Sequence, residues 1–236
     1  GTNSDWETEG NDRADLSLPA NPDQLIENIL KENENTVVVL NSGSPVSMPW
    51  LNESKAVLQS WFGGQEYGNS LADLVFGRVN PSGKLPTTFP VKIEDTPAFD
   101  CYPGKNSQMD YEEKLLVGHR WYEKKNIKPL FPFGFGLSYT NFSFSNLELN
   151  KKDDCNIDCK FKLKNLGKMD GSEVAQCYIS FSGAAKDEPL KSLQSFKKVF
   201  IKKDSEVDIK LSLTKRNFSY WDIEKKDWVV KSGKYT

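Results

Sequence analysis

Val75 to Pro90 reads V-F-G-R-V-N-P-S-G-K-L-P-T-T-F-P. Two glycines (Gly77, Gly83) and three prolines (Pro81, Pro86, Pro90) fix backbone angles at short intervals. Between them stand Asn80, Ser82 and Lys84, polar side chains on a stiff scaffold. That setting suits a structural brace better than a catalytic element. A second stiff run follows at Pro129 to Tyr139, P-L-F-P-F-G-F-G-L-S-Y.

Upstream of the first run the pattern is helical and buried-strand. Asn21-Pro22-Asp23-Gln24 predicts a helix start, with Asn21 as N-cap and Gln24 reaching back. Leu25, Ile26, Ile29 and Leu30 then share a helical face. Thr36 to Leu40 is a short apolar run without alternation, as in a parallel strand buried on both faces. Asn41-Ser42-Gly43-Ser44-Pro45 follows as a loop at that strand's carboxyl end, where open α/β sheets bind ligands. Val57, Leu58 and Trp61 predict a second helix over Ser54–Phe62, stopped by Gly63-Gly64, and Asn69–Phe76 predicts a third. This order argues α/β.

Downstream the period changes to two. Cys159 to Lys164 and Val207 to Leu213 alternate strictly, and Val174–Phe181 and Phe196–Ile201 add strand-like runs. Turn residues between them argue an all-β sandwich, and about 95 residues is the size of one such domain. Charge changes at the same place. Residues 1–139 carry 12 Lys and Arg against 19 Asp and Glu; residues 140–236 carry 19 against 14. The predicted domains are therefore 1–139 and 140–236.

Several function classes drop out. The lysines of the basic half are dispersed among acids at strand spacing, which argues a solvated face and no nucleic acid. No run approaches the length of a membrane helix, so no membrane partner is expected. One His and four Cys without metal-ligand spacing predict no metal and no disulfide scaffold. Gly63 to Gly68 lacks the Lys-Ser/Thr of a phosphate loop, and no cofactor is expected. The polar start Gly1–Arg13 has no initiator Met and reads as a cut end, leaving localisation open. Sequons at Asn52, Asn141 and Asn217 would accept glycans in a secreted parent. Trp50, Trp61 and Trp121 are expected in cores rather than stacked on sugars, and His119 packed or exposed.

Together these segments resemble glycoside hydrolase family 3. Pro45-Val46, Pro49-Trp50, W-F-G-G-Q-E-Y-G-N (Trp61 to Asn69) and the Asn80–Pro86 run are similar to the family's α/β sandwich domain. Tyr111 to Trp121 is similar to another family stretch, departing from it at Lys114 and His119. D-G-S-E-V-A-Q-C-Y (Asp170 to Tyr178) and W-V-V-K-S-G-K-Y (Trp228 to Tyr235) resemble its fibronectin type III-like module. The resemblance implies a partial three-layer α/β sandwich followed by an immunoglobulin-like β-sandwich whose last strand is truncated at Tyr235-Thr236. It implies a retaining β-glucosidase parent, acting on a β-glucoside or oligosaccharide without cofactor, whose (β/α)8 barrel carries the nucleophile Asp and lies outside this chain. Homo-oligomerisation stays open. So do β-xylosidase or β-N-acetylglucosaminidase specificity and a non-catalytic carbohydrate-binding module.

Retaining glycosidases need two carboxyl groups about 5 Å apart, one nucleophile and one acid/base. The family's acid/base motif, Glu-Gly-x-Asp-Arg, is here Glu9-Gly10-Asn11-Asp12-Arg13. The resemblance implies Glu9 as acid/base, Gly10 as a point of close backbone approach, and Asp12 with Arg13 as a supporting local ion pair. Glu7 is its confusable neighbour. Ser4-Asp5-Trp6 mimics the family's nucleophile motif but lacks the preceding apolar strand, so Asp5 is not assigned that role.

Overall fold

The computed structural model describes residues 1–106 and 108–236. Its first half is mixed α/β. Helix α1 spans Pro22–Glu32, strand β1 Val37–Leu40, strand β2 Ala56–Gln59, helix α2 Tyr67–Val75 and helix α3 His119–Lys125. β1 and β2 pair in parallel, Val37 opposite Ala56 and Leu40 opposite Gln59. Val38 and Leu40 enter a core with Leu30 of α1 and with Val46, Trp50 and Phe89; Ile26 packs against it. Trp50 is wholly buried, and its indole N–H donates to Asp23 Oδ1 at 2.8 Å, which satisfies the ring's one polar atom.

Three expectations are corrected here. Ser54–Phe62 is not a helix; its middle is β2. Val57, Leu58 and Trp61 fall at helical spacing, but the backbone of Ala56–Gln59 finds its partners in β1, and Trp61 turns the chain at a φ of 56°. Asn21 adopts left-handed backbone (φ 52°, ψ 52°) and makes no side-chain cap bond. Pro22 alone supplies the start, its ring holding φ near the helical value. Leu25 and Ile29 are exposed, so only Ile26 and Leu30 of that quartet face the core.

The second half is antiparallel β: β3 Phe142–Lys151, β4 Ile157–Asn165, β5 Gly171–Ser180, β6 Lys191–Ile201, β7 Glu206–Leu213, β8 Ser219–Asp222 and β9 Asp227–Val230. One sheet runs β3-β4-β7, a second β5-β6, and β8-β9 is a hairpin. Cys159, Leu163, Ile209, Leu211 and Leu213 of the first sheet meet Ile201, Cys177, Ile179 and Val199 of the second. Alternation along each strand sends these side chains to one face. The last residues return to β5, where Ser180 and Thr236 exchange backbone bonds of 2.8 and 2.9 Å. All four cysteines are free, and burial pushes the Cys159 thiol up to about 11.

The stiff runs of the sequence join the halves. Asn80 is 7% exposed; its amide donates to Asp170 O at 3.1 Å and accepts from Ser138 Oγ and the Tyr139 N–H. Lys84 Nζ donates to Gly136 O at 2.6 Å and pairs with Glu173 at 2.9 Å, both side chains largely buried. Gln176 Nε2 donates to Gly134 O at 3.1 Å. A Cβ on Gly171 would lie 2.5 Å from Asn80 Nδ2, and one on Gly136 2.2 Å from Gly83 O. Gly171 thus admits the Asn80 amide across the junction, and Gly136 lets the two stiff runs of the first half meet backbone to backbone.

Candidate active site

Residues 1–13 fold onto the loop at the carboxyl end of β1. Thr2 N–H donates to Asn41 O at 2.9 Å, which sets the segment against Asn41–Ser44. The centre of the contact is Glu7. One of its oxygens accepts from Thr2 Oγ1 at 2.8 Å and the Gly43 N–H at 3.2 Å. The other accepts from Ser44 Oγ at 2.8 Å and Arg13 Nη1 at 3.3 Å. Arg13 also donates to Ser44 Oγ at 2.8 Å, closing the ring. Burial works to raise the Glu7 carboxyl, and these hydrogen bonds outweigh it, holding the group below the usual carboxylate range. Gly43 is crowded, since a Cβ would stand 2.7 Å from the Phe62 ring edge and 3.1 Å from Glu7 Oε1.

This ring presents Glu9. Thr8 and Asn11 exchange backbone bonds of 3.1 and 3.3 Å, so Glu9-Gly10 is the tip of a two-residue turn. Glu9 is exposed, and its carboxylate has no hydrogen-bond or ion-pair partner among the described residues. A Cβ on Gly10 would meet nothing within 4 Å, so the turn keeps its outer side open. Two buried donors on the same segment, Trp6 Nε1 and Arg13 Nη2, have no partner among the described residues. Asp5 lies exposed on the preceding turn, its N–H bonded to Asn3 Oδ1.

The expected Asp12–Arg13 ion pair does not form. Arg13 is drawn inward by Glu7, with its side chain 8% exposed. Asp12 accepts instead from the Tyr102 hydroxyl, which ties the turn to the 96–103 loop and raises the Tyr102 phenol. Successive side chains on extended chain point to opposite sides, which separates the two partners. Trp50 and Trp61 join the first core as expected, while Trp121 is half-buried outside both cores. Trp61 meets Phe89 edge to face at 6.1 Å, and Trp121 donates to Asp95 O at 3.1 Å. Among the described residues no group of three metal-ligating side chains gathers.

The Glu-Gly-x-Asp-Arg turn on this scaffold coincides with a family match. Residues 1–139 match the glycosyl hydrolase family 3 C-terminal domain, and residues 173–236 match a fibronectin type III-like domain. The chain belongs to glycoside hydrolase family 3. It is 44% identical over 238 residues to thermostable beta-glucosidase B of Acetivibrio thermocellus, covering all of this chain and 32% of that protein. It is 41% identical to probable beta-glucosidase I of Aspergillus niger, covering all of this chain and 30% of the other. Among solved structures, Kluyveromyces marxianus beta-glucosidase in complex with glucose superposes with a TM-score of 0.94 at 39% identity, covering 99% of this chain and 28% of that one. Beta-glucosidase 3B of Thermotoga neapolitana in complex with glucose gives 0.85 at 32% identity, over 95% and 32%. This family 3 chain thus spans about a third of the length of the curated relatives it matches. The sequence pointed to Glu9 through the family motif and held no pointer to Thr2, Ser44, Tyr102 or the anchoring role of Glu7. The contacts of Ser44 and Tyr102 cross tens of residues and carry no local pattern.

Proposed function

We propose that this chain is the part of a retaining β-glucosidase that supplies the acid/base carboxyl, Glu9. The whole polypeptide would hydrolyse terminal non-reducing β-D-glucosyl residues, its nucleophile Asp lying on a barrel domain. Glu9 would give its proton to the leaving oxygen while the Asp attacks the anomeric carbon. It would then take a proton from the water that breaks the glycosyl–enzyme bond. The observation that carries this reading is the contrast at the turn. Glu7, Asp12 and Arg13 are held by protein partners, whereas Glu9 stands free at the tip they fix.

The test is Glu9→Gln in the full-length polypeptide. General acid–base catalysis contributes about 100- to 10,000-fold. Cellobiose hydrolysis should fall by that order, while a dinitrophenyl glucoside, whose leaving group needs no protonation, still glycosylates the enzyme. Azide needs no general base and should restore turnover as β-glucosyl azide. Equal loss on both substrates with no azide effect would mark Glu9 as structural.

A further inference from the structure

Trp61 and Phe62 are neighbours in sequence with opposite surroundings. Trp61 packs into the first core, while Phe62 is 57% exposed on the loop that leaves the carboxyl end of β2. That loop is stiff. Ser60 donates its N–H at 2.9 Å and its hydroxyl at 2.6 Å to Leu40 O, at the end of β1, and the Tyr67 hydroxyl meets Ser60 Oγ at 2.8 Å. Trp61 holds a left-handed φ of 56°, and strained backbone of this kind persists only where its surroundings over-determine it. The Phe62 ring edge rests over Gly43, where one added Cβ would crowd both the ring and Glu7 Oε1. Glu7 in turn anchors the segment that presents Glu9. A firmly mounted aromatic ring therefore borders the acid/base segment, at the end of the strands where open α/β sheets bind ligands.

We propose that Phe62 is the platform on which the leaving sugar of the substrate stacks, an inference that rests on the β-glucosidase reading above. The acid's proton goes to the oxygen that joins the two sugars, so a group packed beside the acid's segment borders the leaving group. In a β-glucosyl unit every ring substituent is equatorial, and C–H bonds line both faces of the ring. Those faces fit the electron-rich face of a phenyl ring. Phe62 has no hydrogen-bonding atom in its side chain, so it grips the carbons of the sugar and leaves its hydroxyls unread. The platform therefore favours a second pyranose over a small leaving group that cannot span the ring. The same platform serves the reverse direction. When a sugar replaces water as acceptor, its hydroxyl oxygen bonds to the anomeric carbon as the bond to the nucleophile Asp breaks, and its proton goes to Glu9.

The experiment uses the full-length polypeptide, with β-glucosyl fluoride as donor and either glucose or methanol as acceptor. Fluoride is too small to touch the platform, so the donor forms the glycosyl–enzyme without it. Initial rates of transfer and of hydrolysis are then read from one reaction, and their ratio does not depend on how much of a variant is folded. Phe62→Ala should lower the ratio for glucose about tenfold, the worth of one aromatic contact, and leave the ratio for methanol where it was. Phe62→Tyr keeps the ring and should keep the wild-type ratio. If Phe62→Ala does not fold, Phe62→Leu, which keeps apolar bulk and loses the ring, gives the same reading. An unchanged ratio for glucose, an equal fall for glucose and methanol, or a wild type that hydrolyses the fluoride but transfers nothing to glucose would each overturn the proposal. The β-glucosidase reading fails by a different sign, a wild type that does not hydrolyse β-glucosyl fluoride at all.

Discussion

Two carboxylates two residues apart, Glu7 and Glu9, have opposite surroundings. Glu9 was legible only as part of a five-residue motif. The sequence does not single out Glu7, because two of its four partners, Gly43 and Ser44, lie 36 and 37 positions away. The structure gives Glu7 a pH signature. Its carboxyl is held below 4.5 in the folded chain, so its stabilisation is complete above the unfolded value and is lost as pH falls through the folded one. Glu7→Gln removes a charged acceptor and should cost about 2 kcal/mol at neutral pH. Denaturant unfolding followed from about pH 6 to about pH 3 should show a shallower decline in the variant than in the wild type. Parallel declines would remove Glu7 from the account.

Elements were legible in proportion to their length and their independence of distant partners. α1, α2, β4 and β7 follow from apolar period, β1 from a short unalternating apolar run, and β5 and β6 from strand-like runs. β2 did not, because Val57, Leu58 and Trp61 also fit a helical face and its partner β1 lies some twenty residues back. β3 was missed for a different reason. Phe142 and Phe144 alternate in one phase and Leu147 and Leu149 in the other. The register shifts between Ser145 and Glu148, and Asn146 takes a φ of 54°, as in a bulge that inserts one residue. Between the halves, the expected boundary at 139/140 remains our proposal, and the chain there is well tied. Thr140 is buried and donates to Asn165 Oδ1 at 2.6 Å. Limited proteolysis should therefore spare 138–142 in the wild type. Asn80→Ala removes the amide that holds Ser138 and Tyr139, and should open that segment to cleavage. Cutting at 138–142 at equal rates in both proteins would show that Asn80 does not hold the junction.

For the molecule as a whole, the Lys84–Glu173 pair couples an α/β half to a β-sandwich. Removing one partner of a buried pair leaves the other charged and unpaired, at a cost of about 3–5 kcal/mol. Lys84→Met should therefore loosen β5 while the α1–β1 core holds. Hydrogen exchange read peptide by peptide should show protection lost over Gly171–Ser180 and kept over Pro22–Leu40. Uniform loss everywhere would mean the halves unfold as one unit regardless of the pair. The receiving atoms of this junction have a further consequence. Asn80, Lys84 and Gln176 direct their amide and ammonium donors to carbonyls of Asp170, Gly136 and Gly134, which belong to the main chain. Main-chain acceptors survive almost any replacement of side chains around them. A β-sandwich from another source, grafted after Tyr139, would dock wherever it keeps Gly171, a carboxylate at 173 and an amide at 176, and the rest of its surface would be free to diverge.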